Sequence, residues 1–113
     1  MISEKLLSTV LGKRCSKIRI AGDEIYYTWL DSPNYIDSSI NKYKLQYLCK
    51  KWAFSWKYRL DLHFIYSKKC YGEILVKITR IDINKGDLIL KGYDSETEAV
   101  FEACEYILNK IER

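Results

Sequence analysis

Asp61 and His63 stand two residues apart in a run of alternating polar and apolar residues, which places both on one face of an extended strand. There the carboxylate would orient the imidazole as a general base. The same pair also reads as a surface histidine beside a surface aspartate. Cys70 follows two lysines in the turn Ser67-Lys68-Lys69-Cys70-Tyr71-Gly72, and neighbouring ammonium groups favour a thiolate. No base lies within evident reach of it, so a nucleophile is not expected. Cys15, Cys49, Cys70 and Cys104 form no CxxC pair and His63 is the only histidine, whereas a metal site needs clustered ligands at short spacing. Neither G-x-x-x-x-G-K-[ST] nor G-x-G-x-x-G occurs. The expectation is a non-enzymatic protein with no metal or cofactor and with reduced, mostly buried thiols.

A different chemistry is written between residues 37 and 58, whose pattern predicts a long helix. Leu45, Leu48, Cys49, Trp52 and Trp56 recur at helical spacing and form a core stripe. At about 100° per residue, Ile36, Ile40, Tyr43, Tyr47, Phe54 and Tyr58 fall on the opposite side, flanked by Lys44, Lys50, Lys51 and Lys57. A helix apolar on two sides must bury both or present one to a partner. Tyrosines among lysines suit a protein interface or stacked bases, with Lys68 and Lys69 as further rim charges. The alternative is that a hairpin over residues 17–30 covers this side with Tyr26, Tyr27 and Trp29.

The elements that must position this helix are legible as a series. Ser3 caps a short helix bearing Leu6, Leu7, Val10 and Leu11, and Gly12 follows it. Residues 17–20 and 25–30 flank Ala21-Gly22-Asp23-Glu24 as a hairpin, and Asp31-Ser32-Pro33-Asn34 is a turn. After the long helix, three strands alternate with period two through Leu60, Leu62, Phe64 and Tyr66, then Ile74, Val76 and Ile78, then Leu88 and Leu90. Ser95 and Glu98 form a capping box for a last helix that buries Val100, Phe101, Cys104, Ile107, Leu108 and Ile111. The predicted fold class is α+β: an antiparallel sheet of three or more strands packed against two helices. Its core should gather Leu60, Leu62, Phe64, Ile74, Val76, Ile78, Leu88 and Leu90 against Trp52, Trp56, Val100, Cys104 and Ile107. Ile65, Leu75 and Ile89 point outward, and the short N-terminal helix would cover them on the other face, giving α/β/α layers.

A length of 113 residues allows one domain, and 48% hydrophobic residues suffice for its core without staples. With no signal-peptide pattern and no apolar stretch of about 20 residues, the expected location is the bacterial cytoplasm, away from membranes. Residues 1–60 carry 11 Lys and Arg against 5 Asp and Glu, while residues 61–113 carry 8 against 10. The basic half attracts nucleic acid or an acidic protein surface. Lysine and isoleucine at 14 each against four alanines resemble AT-rich coding, which offers a second origin for those lysines.

Helix, three antiparallel strands and helix over residues 37–111 resemble the double-stranded-RNA-binding domain, whose last helix holds phosphate on lysines at its start. Here that turn is Ser95-Glu96-Thr97-Glu98, and its carboxylates repel phosphate; the likeness is one of fold order. The chain also resembles the phage ABA-sandwich domain family of small phage proteins. The resemblance rests on Val10-Leu11-Gly12, on Pro33-Asn34-Tyr35 leading through Asp37-Ser38-Ser39-Ile40 into the long helix, and on Asp94-Ser95-Glu96-Thr97-Glu98-Ala99-Val100 followed by Ala103-Cys104. It implies a sheet between helices, a phage or prophage origin and no catalytic residues. The function it implies is inhibition of a host defence protein by steric occlusion, anti-CRISPR activity being the most specific form. Nucleic-acid or nucleotide-signal binding by the same basic aromatic patch is the alternative.

Overall fold

Each of the three helices among the described residues begins on a side chain that accepts the first free N–H groups. Ser3 Oγ accepts the Leu6 N–H at 3.1 Å, Asn41 Oδ1 accepts the Tyr43 N–H at 2.9 Å, and Ser95 Oγ accepts the Glu98 N–H at 3.1 Å. The computed structural model describes residues 2–31, 33–34, 37–66, 72–83 and 88–112. In chain order the elements are α1 (Glu4–Leu11), β1 (Cys15–Ala21), β2 (Glu24–Trp29), β3 (Asp37–Asn41), α2 (Lys42–Ser55), β4 (Tyr58–Ile65), β5 (Glu73–Arg80), β6 (Leu88–Tyr93) and α3 (Glu96–Ile111). They form an α+β fold with two antiparallel sheets, β1-β2-β3 and β4-β5-β6.

The second sheet follows the alternation of its sequence. Leu60 pairs with Ile78, and Leu62 with Val76, which is in turn opposite Leu90. Val76 and Ile78 are buried, and Leu60, Leu62, Ile74, Leu88 and Leu90 pack against the same core. α2 lies on β4, and α3 on β5 and β6, with the two helices in contact. Val100, Cys104 and Ile107 are buried, as their spacing predicts.

Trp56 and Phe64, both expected in the core, lie outside it, and Leu48 of the α2 stripe is only half-buried. The helix pattern carries on to Trp56, but α2 ends at Ser55. Lys57 adopts φ +68° and donates its N–H to the Phe54 carbonyl, which turns the chain and leaves Trp56 exposed. Phe64 is 69% exposed although it faces the same way as Leu62. It lies near the far end of β4, where its ring covers Gly72: a Cβ there would stand 2.6 Å from Phe64 Cζ.

The start of α2 also differs from expectation. Residues 37–41 are strand β3, paired antiparallel with β2 from Thr28↔Asp37 to Glu24↔Asn41. Asp and Ser compete with helical hydrogen bonding, and Ile40 gains more by facing Ile25 across the sheet. The 17–30 hairpin is present as β1 and β2, and β3 extends it into a sheet. α1 contacts β1, α2 and α3, with Leu6 and Leu7 fully buried. It is held there by Glu105 Oε1, which accepts the Ser3 hydroxyl at 2.7 Å and the Ser3 N–H at 3.2 Å. The expected cover over Ile65, Leu75 and Ile89 is therefore not supplied by α1, and Ile89 is exposed.

Leu45 is buried on α2, so Leu45→Ala should cost about 2–5 kcal/mol. Lys57→Gly should raise stability by about 1 kcal/mol, since a left-handed φ is free of Cβ strain only at glycine. Chemical denaturation of both variants beside the wild type measures each difference.

Candidate functional site

α2 buries one side only. Leu45, Cys49 and Ala53, at i, i+4 and i+8, are buried, and Trp52 packs beside them. The side is fixed by α3 at two points. The Thr97 hydroxyl donates to Gln46 Oε1 at 2.7 Å, and the Cys104 thiol reaches the Cys49 carbonyl at 3.5 Å. With those residues turned inward, helical geometry sends Tyr43, Tyr47 and Phe54 outward within about 40° of one another, over roughly 16 Å of axis.

All three are open to solvent. Tyr43 is 57%, Tyr47 62% and Phe54 60% exposed, so the β1–β2 hairpin does not cover them. It reaches only the start of the helix, where Lys42 Nζ pairs with Asp23 at 3.1 Å and the Lys42 N–H donates to the Asp23 carbonyl. That carboxylate raises the Lys42 ammonium pKa. The same ammonium lies 5.1 Å from the centre of the Tyr43 ring, so the first aromatic of the row is held by a fixed cation.

Of the flanking lysines, Lys44, Lys51 and Lys57 are exposed and Lys50 is half-buried. None of the four has a carboxylate partner among the described residues, and α2 itself contains no Asp or Glu. Tyr58 leaves the expected set. It opens β4, is 6% exposed, and lies under the Arg80 guanidinium at 5.2 Å. Ile40 turns to the core from β3. Lys68, Lys69 and Ile36 lie outside the described residues.

The candidate chemical groups are separated or engaged elsewhere. The Asp61 carboxylate accepts Arg59 Nε–H at 2.9 Å, and His63 is exposed opposite Leu75. Cys15, Cys49 and Cys104 are free and buried. Burial raises the Cys15 thiol pKa, and for Cys104 the hydrogen bond with Cys49 comes first, then burial; such thiols resist ionisation. Cys70 lies outside the described residues. No cluster of three metal-ligating side chains occurs among the described residues, and no helix there is long and apolar enough to cross a membrane.

Two features were not singled out from sequence. A mostly apolar cavity of about 250 Å³ lies where Ile20 and Ile25 approach Phe101 and Lys42. On the hairpin, Arg19 stacks on Tyr26 at 5.2 Å, and Lys13 lies over Trp29 at 4.8 Å and Tyr27 at 5.5 Å. The register Arg19↔Tyr26 was the available signal, but it depends on a bulge that alternation alone does not reveal. No protein-family model matches the chain, and neither a curated protein nor a solved structure matches it.

Exposed side chains can be truncated without a large effect on folding. Tyr43→Ala and Tyr47→Ala should each shift unfolding free energy by less than about 0.5 kcal/mol. A melting temperature unchanged for both confirms that this row is spare to the fold.

Proposed function

We propose that this protein acts by binding and that the outer face of α2 is the surface that meets its partner, a protein with an acid-rimmed apolar groove. The observation behind this reading is the row Tyr43, Tyr47 and Phe54, more than half exposed, on a helix with four lysines and no carboxylate. A convex aromatic ridge suits a helix laid into a groove. Aromatic side chains at the centre of an interface supply most of the binding energy, and charges at the rim select the partner and speed its approach. Lys44, Lys50, Lys51 and Lys57 fill the rim role. The resemblance to small phage proteins makes a host defence component the first partner to test, inhibited by occlusion in the manner of an anti-CRISPR protein. The non-enzymatic reading is part of this proposal and is supported by the engagement of Asp61 with Arg59.

Affinity capture from bacterial lysate with nuclease treatment, followed by titration of the captured protein, tests the proposal. Tyr47→Ala should cost about 1–3 kcal/mol of binding, and Lys51→Glu should weaken it through charge reversal. Affinity should fall only modestly between low and physiological salt. A nuclease-sensitive partner, with affinity falling by orders of magnitude from roughly 50 to 200 mM salt, would instead show that the ridge stacks bases. His63→Ala and Cys70→Ser should leave binding and any inhibitory activity unchanged. Loss of activity in either, with the fold intact, would overturn the non-enzymatic reading.

A further inference from the structure

The register of β1 changes once, and the change builds a second surface. Pairing with β2 runs Cys15↔Trp29 and Ser16↔Thr28, then resumes at Arg19↔Tyr26. Lys17 and Ile18 thus stand opposite the single residue Tyr27, which is the count of a β-bulge. In an unbroken strand Lys17 would face inward beside buried Tyr27, and Ile18 would face water. The extra residue reverses both. Ile18 packs against the core, and Lys17 is exposed at φ +53°.

That conformation is disfavoured for a residue with a Cβ, and it is held from outside the strand. Glu4 Oε1 accepts the Lys17 N–H at 3.0 Å and the Ser16 hydroxyl at 3.2 Å. Strain kept by such contacts is a feature of binding and active sites. Its effect here is to set Lys17 beside Arg19 at a cleft of about 300 Å³ on the first sheet, lined also by Tyr26, Thr28 and Asp37. Neither cation pairs with a carboxylate among the described residues. Arg19 rests on the Tyr26 ring at 5.2 Å, which pre-orients its N–H groups for an oxyanion. On β3, Asp37 Oδ1 accepts the Thr28 hydroxyl at 3.0 Å, leaving its other oxygen to accept from a ligand.

We propose that this cleft binds a sugar phosphate, with Lys17 and Arg19 on the phosphate and Asp37 on sugar hydroxyls. Two cations at one end match a phosphate dianion, and a single acceptor-only carboxylate at the other end excludes a second phosphate there. The volume lies at the small end of ligand sites, which run from about 300 to 1,000 Å³. The source is either a free sugar phosphate or a nucleotide, which share this chemistry. The site is separate from the aromatic ridge of α2 and does not rest on it.

Calorimetric titration with ribose 5-phosphate, adenosine 5′-monophosphate, inorganic phosphate and ribose tests the assignment. Ribose 5-phosphate should bind saturably and more tightly than inorganic phosphate, and ribose alone should not bind. Arg19→Ala should weaken binding by about tenfold or more, the loss of one charge-assisted hydrogen bond. Lys17→Gly should weaken it similarly while the melting temperature holds or rises, because glycine accepts the bulge conformation. Asp37→Asn should weaken ribose 5-phosphate and spare inorganic phosphate, and Tyr47→Ala should change neither. Binding of the monophosphate at least as tight as ribose 5-phosphate assigns the cleft to nucleotides; its exclusion while ribose 5-phosphate binds assigns it to free sugar phosphates. No saturable binding of either ester, equal affinity for ribose 5-phosphate and inorganic phosphate, or a Lys17→Gly protein that binds like wild type would each overturn the proposal.

Discussion

The Cys104 thiol reaches across to the Cys49 carbonyl at 3.5 Å, and one side of the same helix pair carries the Thr97–Gln46 hydrogen bond at 2.7 Å. A side chain as short as cysteine touches a neighbouring backbone only when the helices lie close together. That approach sets which side of α2 is inward, and a single orientation then settles the rest. Leu45, Cys49 and Ala53 go to the core with Leu6, Leu7 and Val76, and the positions half a turn away go to water. The polar bond specifies as well as stabilises, because rotating α2 would leave Gln46 and Thr97 without each other in a largely apolar setting. Thr97 is the one polar residue among the buried side chains described.

The two contacts ascend together, from Gln46 and Thr97 to Cys49 and Cys104, so α2 and α3 run in the same direction. Their positive dipole ends lie at the same end of the molecule. The first turn of α3 answers with Glu96 and Glu98. That of α2 has no acid and is held by Asn41 and by the hairpin, through Asp23 and Lys42. The division explains why the start of α3 cannot serve phosphate as in a double-stranded-RNA-binding domain. It also explains why positive charge accumulates along α2, where nothing on the helix neutralises it.

What was legible in the sequence is what local pattern dictates. Period two placed Leu60, Leu62, Val76 and Ile78 on one face, and Ser95 with Glu98 located the start of α3 to the residue. The row Tyr43, Tyr47 and Phe54 followed from helical spacing. The misreadings occur where a non-local partner decides. Asp37-Ser38-Ser39-Ile40 sits next to a strong helix and became a strand because β2 offers it hydrogen bonds. Asn41, a good N-cap type, marked the true boundary. Tyr58 fits the outer row by spacing alone, but the chain reverses at Lys57 and carries it into the core. Phe64 obeys its alternation and still meets water, because alternation assigns a face and not how far a neighbouring helix extends over it.

The bulge at Lys17 shows the same limit and also what resolves it. Residues 15–21 read Cys-Ser-Lys-Ile-Arg-Ile-Ala, and no regular strand can bury both Cys15 and Ile18, since they are an odd number of residues apart. Burying both requires one inserted residue, and the residue that yields must be able to leave the core side. Lysine does so readily, with its charge in water and its stem along the surface. With Cys15 and Ile18 both turned to the core in the structure, the bulge between them is a geometric requirement. Placed between them, the inserted residue takes both Lys17 and Arg19 off the core side, where either charge would be costly to bury. The same displacement that saves the core collects Lys17 and Arg19 on the outer face. The cleft is thus a consequence of packing, and Glu4 on α1, which anchors the displaced backbone, ties its shape to the docking of the first helix.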